Sequence, residues 1–232
     1  MEGKSKMYEG VRTWNPFVGC RFKCIYCRPS FQRLAKRRKK FCELCYRYEP
    51  HFHEERLWRI PSGKIIFACA FGDIAFAKEE EIIDILLAIE EQPWKTFYIQ
   101  SKSGDIISLI RDNIGVPENV KLGITLETNL HEFNIPGSFK YYWEISQAPF
   151  PWRRAEQAGH VDYVTIEPIL DFDDNFVDLI RDLEPEFVYV GYDNYNCVLP
   201  EPPLEKTLQL IDELKEFTEV RTKTIRKAWW ER

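Results

Sequence analysis

Cys20, Cys24 and Cys27 stand in a CxxxCxxC loop within WNPFVGCRFKCIYC (14–27), with Tyr26 directly before the last thiol. A strand-like segment, Val11 to Val18, leads into it. Three thiolates this close together suggest a metal centre. Iron–sulfur clusters are held by cysteine thiolates, and a cubane with only three protein cysteines keeps one iron free for another ligand. Zinc is the competing reading. Cys24 and Cys27, a gap of fourteen residues, then Cys42 and Cys45 come close to zinc-ribbon spacing. That pairing leaves Cys20 without a role, and a ribbon is normally a short module with glycine-bearing knuckles.

A second group of donors follows. In CELCYRYEPHFHEERL, Cys42, Cys45, His51 and His53 put two thiolates and two imidazoles within twelve residues, with Pro50 forcing a turn. Such donors suit a tetrahedral zinc ion. The HxH pair is expected to point to opposite sides of an extended segment, which would leave one histidine to ligate. The competing reading is surface histidines beside two buried thiols.

These groups need a scaffold, and 232 residues suffice for one substantial core. The N-terminal MEGKSKMYEG is polar, and no apolar run approaches the roughly 18 residues of a membrane span. A cytoplasmic, monomeric protein with no membrane partner is expected. Seven cysteines, an odd number clustered toward the N-terminus, read as metal ligands before disulfides. The net charge of −5 does not advertise a polyanion partner. Locally, however, Lys36 to Lys40 reads KRRKK, with Arg28, Arg33 and Arg47 nearby, and a basic patch on an acidic chain can still contact phosphate. The bland counterpart is a solvated helix face.

From Lys64 onward short apolar strands alternate with amphipathic helices, the pattern of a parallel sheet. Strands are expected at Lys64 to Ala70, Thr96 to Gln100, Lys121 to Leu126, Tyr141 to Ile145, Tyr163 to Ile166, Phe187 to Gly191 and Glu219 to Thr222. Helices are expected at Lys78 to Glu91, Asp105 to Asn113, Trp152 to Ala158, Asn175 to Leu183 and Leu204 to Phe217, and Ser30 to Lys40 has helix-forming composition. With the strand before Cys20 this makes about eight strands. The expected fold is α/β, a TIM-like (β/α) barrel, partial or complete, in one domain (1–232) with a Cys/His-rich insertion at about 28–60. Chemistry in such barrels sits at the C-terminal strand ends. Those ends carry Gly72, Asp73, Gln100 to Lys102, Glu127 to Asn129, Ser146, Gln147, Glu167 and Tyr192 to Asn194. Each taken singly could equally be a helix cap.

The cysteine spacing resembles the radical SAM superfamily. Together with TWNPFVGC, the Gly-Asp after the second strand, YIQSKSG, LGITLETN, TIEPIL and YVGYDN, most of the chain resembles a phage-encoded and archaeal radical SAM branch of unassigned function. That branch is distantly similar to spore photoproduct lyase, which repairs a thymine lesion. The resemblance implies a 4Fe-4S cluster on Cys20, Cys24 and Cys27 and reductive cleavage of S-adenosylmethionine to a 5'-deoxyadenosyl radical. It also implies an electron donor protein as partner. Where the family carries a GGE-like stretch, this chain has Ala70, Phe71, Gly72 and Asp73, so Asp73 becomes the partner expected for the cofactor's ammonium. By strand order, Lys102 would pair with its carboxylate, Glu127 or Asn129 would bind ribose hydroxyls, Ser146 and Arg153 would complete the pocket, and Glu167 would face the mouth.

The basic run, the lyase resemblance and aromatics near the mouth (Trp14, Phe71, Tyr192, Tyr195) point to a nucleic acid or nucleotide substrate. A peptide or small metabolite is the competing substrate. The rival from another class is a non-catalytic zinc-ribbon nucleic-acid-binding protein, with Trp229 and Trp230 as its stacking surface or, more blandly, as a hydrophobic lid.

Overall fold

The computed structural model describes residues 10–231; the polar stretch 1–9 and Arg232 lie outside them. Seven parallel strands form one sheet: β1 (Arg12–Trp14), β2 (Ile65–Ala68), β3 (Thr96–Ser101), β4 (Val120–Thr125), β5 (Tyr163–Ile166), β6 (Phe187–Val190) and β7 (Glu219–Thr222). Their order in space is their order in the chain, with β1 and β7 at the edges. A singly wound sheet puts every crossover on one side. Helices α1 (Glu79–Glu90), α2 (Gly104–Leu109), α3 (Pro151–Ala158), α4 (Phe176–Arg181) and α5 (Leu204–Leu214) fill the connections. No helix among the described residues is long and apolar enough to cross a membrane.

The two-residue period of a strand divides the sheet's faces. Ile66, Ala68, Phe97, Ile99, Leu122, Ile124, Val164, Ile166, Val188 and Val190 pack into the main core. The intervening residues form layers on the other face. Phe67, Tyr98, Tyr163, Phe187 and Tyr189 make an aromatic cluster at the N-terminal end. Gly123 is required there, because a Cβ on it would lie 2.2 Å from the Tyr163 ring. One step up, the Gln100 amide donates to Thr125 Oγ1 (2.7 Å) and accepts from Thr165 Oγ1 (2.9 Å). The next step in each chain segment reaches Lys102, Glu127 and Glu167.

Two expected strands differ. Val11 to Val18 is broken after β1 at Pro16, which has no N–H for a ladder; Phe17–Val18 instead pairs antiparallel with His51–Phe52. Tyr141 to Ile145 is not in the sheet, so there are seven strands in it and not eight. Glu132–Ile135 and Ser138–Tyr141 form a hairpin, and Tyr142–Ile145 is a helical turn. The Glu144 carboxylate accepts the Tyr141 N–H (2.7 Å), and Tyr142 and Ile145, three apart on one helical face, are the buried pair.

Candidate metal centre and its surroundings

The cysteine loop leaves the C-terminal side of β1 and is welded to the loop after β2. Gly19 N–H donates to Phe71 O (3.0 Å), and Asp73 N–H donates to Gly19 O (3.1 Å). Both glycines are sterically necessary. A Cβ on Gly72 would lie 2.8 Å from Gly19 O, and one on Gly19, whose φ is +98°, would lie 2.2 Å from Glu49 O. Gly72 therefore serves close backbone approach, bringing Asp73 beside the thiols.

Cys24 is buried, and Cys20 and Cys27 are half-buried, in an apolar shell that includes Phe22, Tyr26, Tyr142, Ile145 and Leu199. Cys24 Sγ lies 3.1 Å from Ser146 Oγ. A hydrogen bond from Cys27, the nearby Lys102 charge and Ser146 outweigh burial and bring the Cys24 thiol down to about 5. The same shared hydrogen bond, with burial, pushes Cys27 up. Burial first, then the Asp73 carboxylate, pushes Cys20 up.

Behind the thiols stands a charge cluster centred on Glu127, in which Glu127 and Arg154 are fully buried and Lys102 is partly buried. Its Oε1 accepts from Lys102 Nζ and the Tyr26 hydroxyl, and its Oε2 accepts from Arg154 Nη1 (2.7 Å) and the Tyr142 hydroxyl (3.2 Å). Four donors fill the four lone-pair sites of a carboxylate. Burial alone would raise this carboxyl, but Arg154 and Lys102 hold it well below the usual carboxylate range. Burial likewise opposes the charge on Lys102, yet the Cys24 and Glu127 anions raise its ammonium above the ordinary lysine value. Arg154 also donates to Thr125 O (2.7 Å) and Pro149 O (2.5 Å), tying α3 to β4.

The other expected site residues scatter. Asp73 is buried and caps the turn Ile74–Phe76: Oδ1 accepts from Ser101 Oγ (2.6 Å) and Ala75 N–H (3.0 Å), and Oδ2 from Lys102 N–H (3.0 Å). Burial raises its carboxyl against these bonds. Ser146, expected to help complete the cofactor pocket, stands at the thiols, against Cys24. Glu167 reaches the mouth and pairs with Lys223, with Asn194 Nδ2 3.4 Å away; burial raises its carboxyl and Lys223 opposes this. Asn129 is a loop latch to Asp173, whose N–H its Oδ1 accepts (3.0 Å). Arg153 is exposed and lines an open cleft of about 630 Å³ with Phe22, Asp105 and Trp152. One residue is about 100° of helix, and the arginine aimed inward is Arg154. It shares a buried stripe with Pro151, Ala155 and Ala158, a helical spacing that could have revealed it. Tyr26 and Tyr142 were the other omissions.

The aromatics expected at the mouth are mostly structural. Trp14 and Tyr192 are buried, the indole donating to Arg56 O (2.8 Å) and the phenol to Pro202 O (3.0 Å). Tyr195 is exposed. Trp229 and Trp230 donate to Leu199 O (2.7 Å) and Glu201 O (2.9 Å) and clamp the proline-rich turn.

Cys42, Cys45, His51 and His53 converge, each offering one ligand atom with all four within 4.8 Å of one another, and could hold a metal ion. Cys42 and Cys45 thus join the histidines and not Cys24 and Cys27, which removes the ribbon pairing. Both imidazoles take part, because i and i+2 of an extended segment share a face. Burial first, then Arg56 and His51, lowers the His53 imidazole to about 4.

No family model and no curated protein matches the chain. A solved structure described as spore photoproduct lyase complexed with dinucleoside spore photoproduct is similar to it at TM-score 0.47 and 11% identity. The match covers 90% of this chain and 62% of that one, so the chain spans less than two thirds of the length of the structure it resembles.

Proposed function

We propose that this chain is a radical SAM enzyme in which Cys20, Cys24 and Cys27 hold a 4Fe-4S cluster. The observation that carries the reading is the placement of three thiols on one loop at the C-terminal mouth of a singly wound parallel sheet, with Lys102 and Ser146 beside Cys24. The donor chemistry fits: three soft ligands in an apolar shell, one already favouring the thiolate. When bound, the cluster supplies the electron that cleaves S-adenosylmethionine to methionine and a 5'-deoxyadenosyl radical.

The chain's own residues bind and orient. Asp73 uses three of about four lone-pair sites on its own chain and keeps one for an ammonium donor. Lys102 spends two of its three N–H donors on Glu127 and Tyr26 and keeps one for a carboxylate. Glu127 has no acceptor left for a ribose; its role is to hold Lys102 and Arg154 in place. Ser146 supports Cys24, and Glu167 with Lys223 faces the substrate side. The apolar shell excludes water from Cys24.

For the substrate we propose a nucleic acid or nucleotide, supported by the exposed Lys36 to Lys40 run and the neighbouring exposed Phe41 and Tyr46, with Lys39 Nζ 4.5 Å from the Tyr46 ring centroid. The second reading, a non-catalytic zinc-bearing nucleic-acid-binding protein, draws on the Cys/His group but leaves Cys20, Cys24 and Cys27 idle. Anaerobic reconstitution separates them. Brown protein with about four irons per chain is expected, lost in Cys20→Ala, Cys24→Ala and Cys27→Ala and kept in Cys69→Ala and Cys197→Ala. Dithionite should then release 5'-deoxyadenosine, and an iron-free, colourless product would overturn the reading.

A further inference from the structure

A second convergence of soft donors lies in the insertion, and the proposed reaction makes no use of it. His51 Nδ1 stands 2.7 Å from Glu49 O, which can only accept, so Nδ1 carries the proton and Nε2 the lone pair. His53 Nδ1 stands 2.9 Å from Glu55 Oε1, with the same result. The two Nε2 atoms face each other at 2.8 Å. Cys45 Sγ is 3.2 Å from His53 Nε2 and 3.4 Å from His51 Nε2, and Cys42 Sγ is 3.4 Å from His51 Nε2. Zinc–nitrogen bonds of about 2.0 Å and zinc–sulfur bonds of about 2.3 Å define a tetrahedron with edges of roughly 3.3–3.8 Å. Four of the six donor separations are 2.8–3.4 Å and all six are within 4.8 Å, so a single cation at their centre would meet all four donors. Two sulfurs and two nitrogens select zinc, and four protein ligands leave no open position for catalysis. The carbonyl and carboxylate behind the imidazoles are the outer partners such a site needs.

The same residues grip the strand that leads to Cys20. His53 N–H donates to Pro16 O (2.7 Å), and His51–Phe52 pairs with Phe17–Val18. Arg56 donates to Asn15 O (2.9 Å) and reaches Cys45 Sγ at 3.8 Å. Asn15 Oδ1 in turn accepts the Phe71 N–H (2.7 Å), one residue from the Gly72 contact. Trp14, Asn15, Pro16 and Gly19 thus each have a named hydrogen bond with 53–56 or the β2 loop, and Phe17 and Val18 pair with Phe52 and His51.

We propose that Cys42, Cys45, His51 and His53 bind one zinc ion in a closed site, and that this ion fixes the backbone of residues 14–19 from which the cysteine loop starts. Its service to an iron–sulfur cluster rests on the reading above; the zinc site and the fixing of 14–19 do not.

Metal analysis and hydrogen exchange on iron-free, full-length protein test both parts. One zinc per chain is expected, and chelator-stripped protein should take up Co²⁺ with the visible absorption of a tetrahedral thiolate site. Amides in 14–24 should exchange at least about tenfold more slowly in the zinc-loaded protein than in the stripped one. Glu55→Ala removes the acceptor behind His53 together with a 3.8 Å contact to Arg56, at a side chain 59% exposed, and should weaken zinc binding about tenfold or more without unfolding the chain. If stripping melts the protein, partly loaded Glu55→Ala supplies the comparison. A folded parent that binds neither zinc nor Co²⁺ overturns the site, and exchange in 14–24 indifferent to zinc overturns the positioning. Because iron is absent throughout, failure of the cluster reading would show only in the separate reconstitution.

Discussion

Glu127 is the residue on which the charge cluster balances. With Lys102 and Arg154 both buried against it, Glu127→Gln leaves two cations with too little compensation. Removing one partner of a buried ion pair costs about 3–5 kcal/mol, so the urea midpoint should fall by that equivalent with an unchanged slope. The pH dependence has a definite sign. The folded carboxyl lies below its unfolded value of about 4.3, so its contribution is complete above that value and disappears as pH falls through the folded value. The gap between parent and Glu127→Gln should stay constant from pH 5 to 8 and close only below about pH 4; a gap that widens in acid would contradict the assignment. The cysteine loop stands out in the sequence by its spacing, and Lys102 and Glu127 as charged residues at strand ends, whereas Ser146 follows a helical turn outside the sheet. Arg154 does not stand out, because strand order does not say which way a helix turns its side chains, and Arg153 beside it was taken instead. The histidine pair was misread through an error of periodicity, since alternate residues of a strand point the same way.

At the scale of elements, two loops meet through two glycines. Gly72→Ala places a methyl 2.8 Å from Gly19 O and 2.9 Å from Gly19 N, backbone atoms that cannot rotate away. Overpacking of this kind costs about 1–3 kcal/mol. The thermal midpoint should fall, and iron retention should fall with it because Cys20 adjoins Gly19; retention equal to the parent's would show that the weld does not position the thiols. Most elements were readable: six of the seven sheet strands lie where apolar runs place them. Val11 to Val18 does not form one strand because Pro16 interrupts the ladder, and Tyr141 to Ile145 leaves the sheet because an aromatic-rich run also fits one turn of helix with a buried i, i+3 pair.

The whole molecule separates charge by region: a chain of net charge −5 carries five consecutive exposed cations at Lys36 to Lys40. If this run contacts nucleic-acid phosphates, replacing all five with glutamine should flatten the salt dependence of single-stranded binding by about 0.7 log unit per lost contact. An unchanged slope would place the contacts elsewhere. The order of the sheet has another outcome, during synthesis. Each strand can dock on the one made just before it, yet Tyr26 waits 101 positions for Glu127 and Cys24 waits 122 for Ser146. At about 5–20 residues per second, the thiols made first stay uncovered on the ribosome for on the order of ten seconds, a window in which oxidants can reach all three sulfurs before the residues that cover them are made.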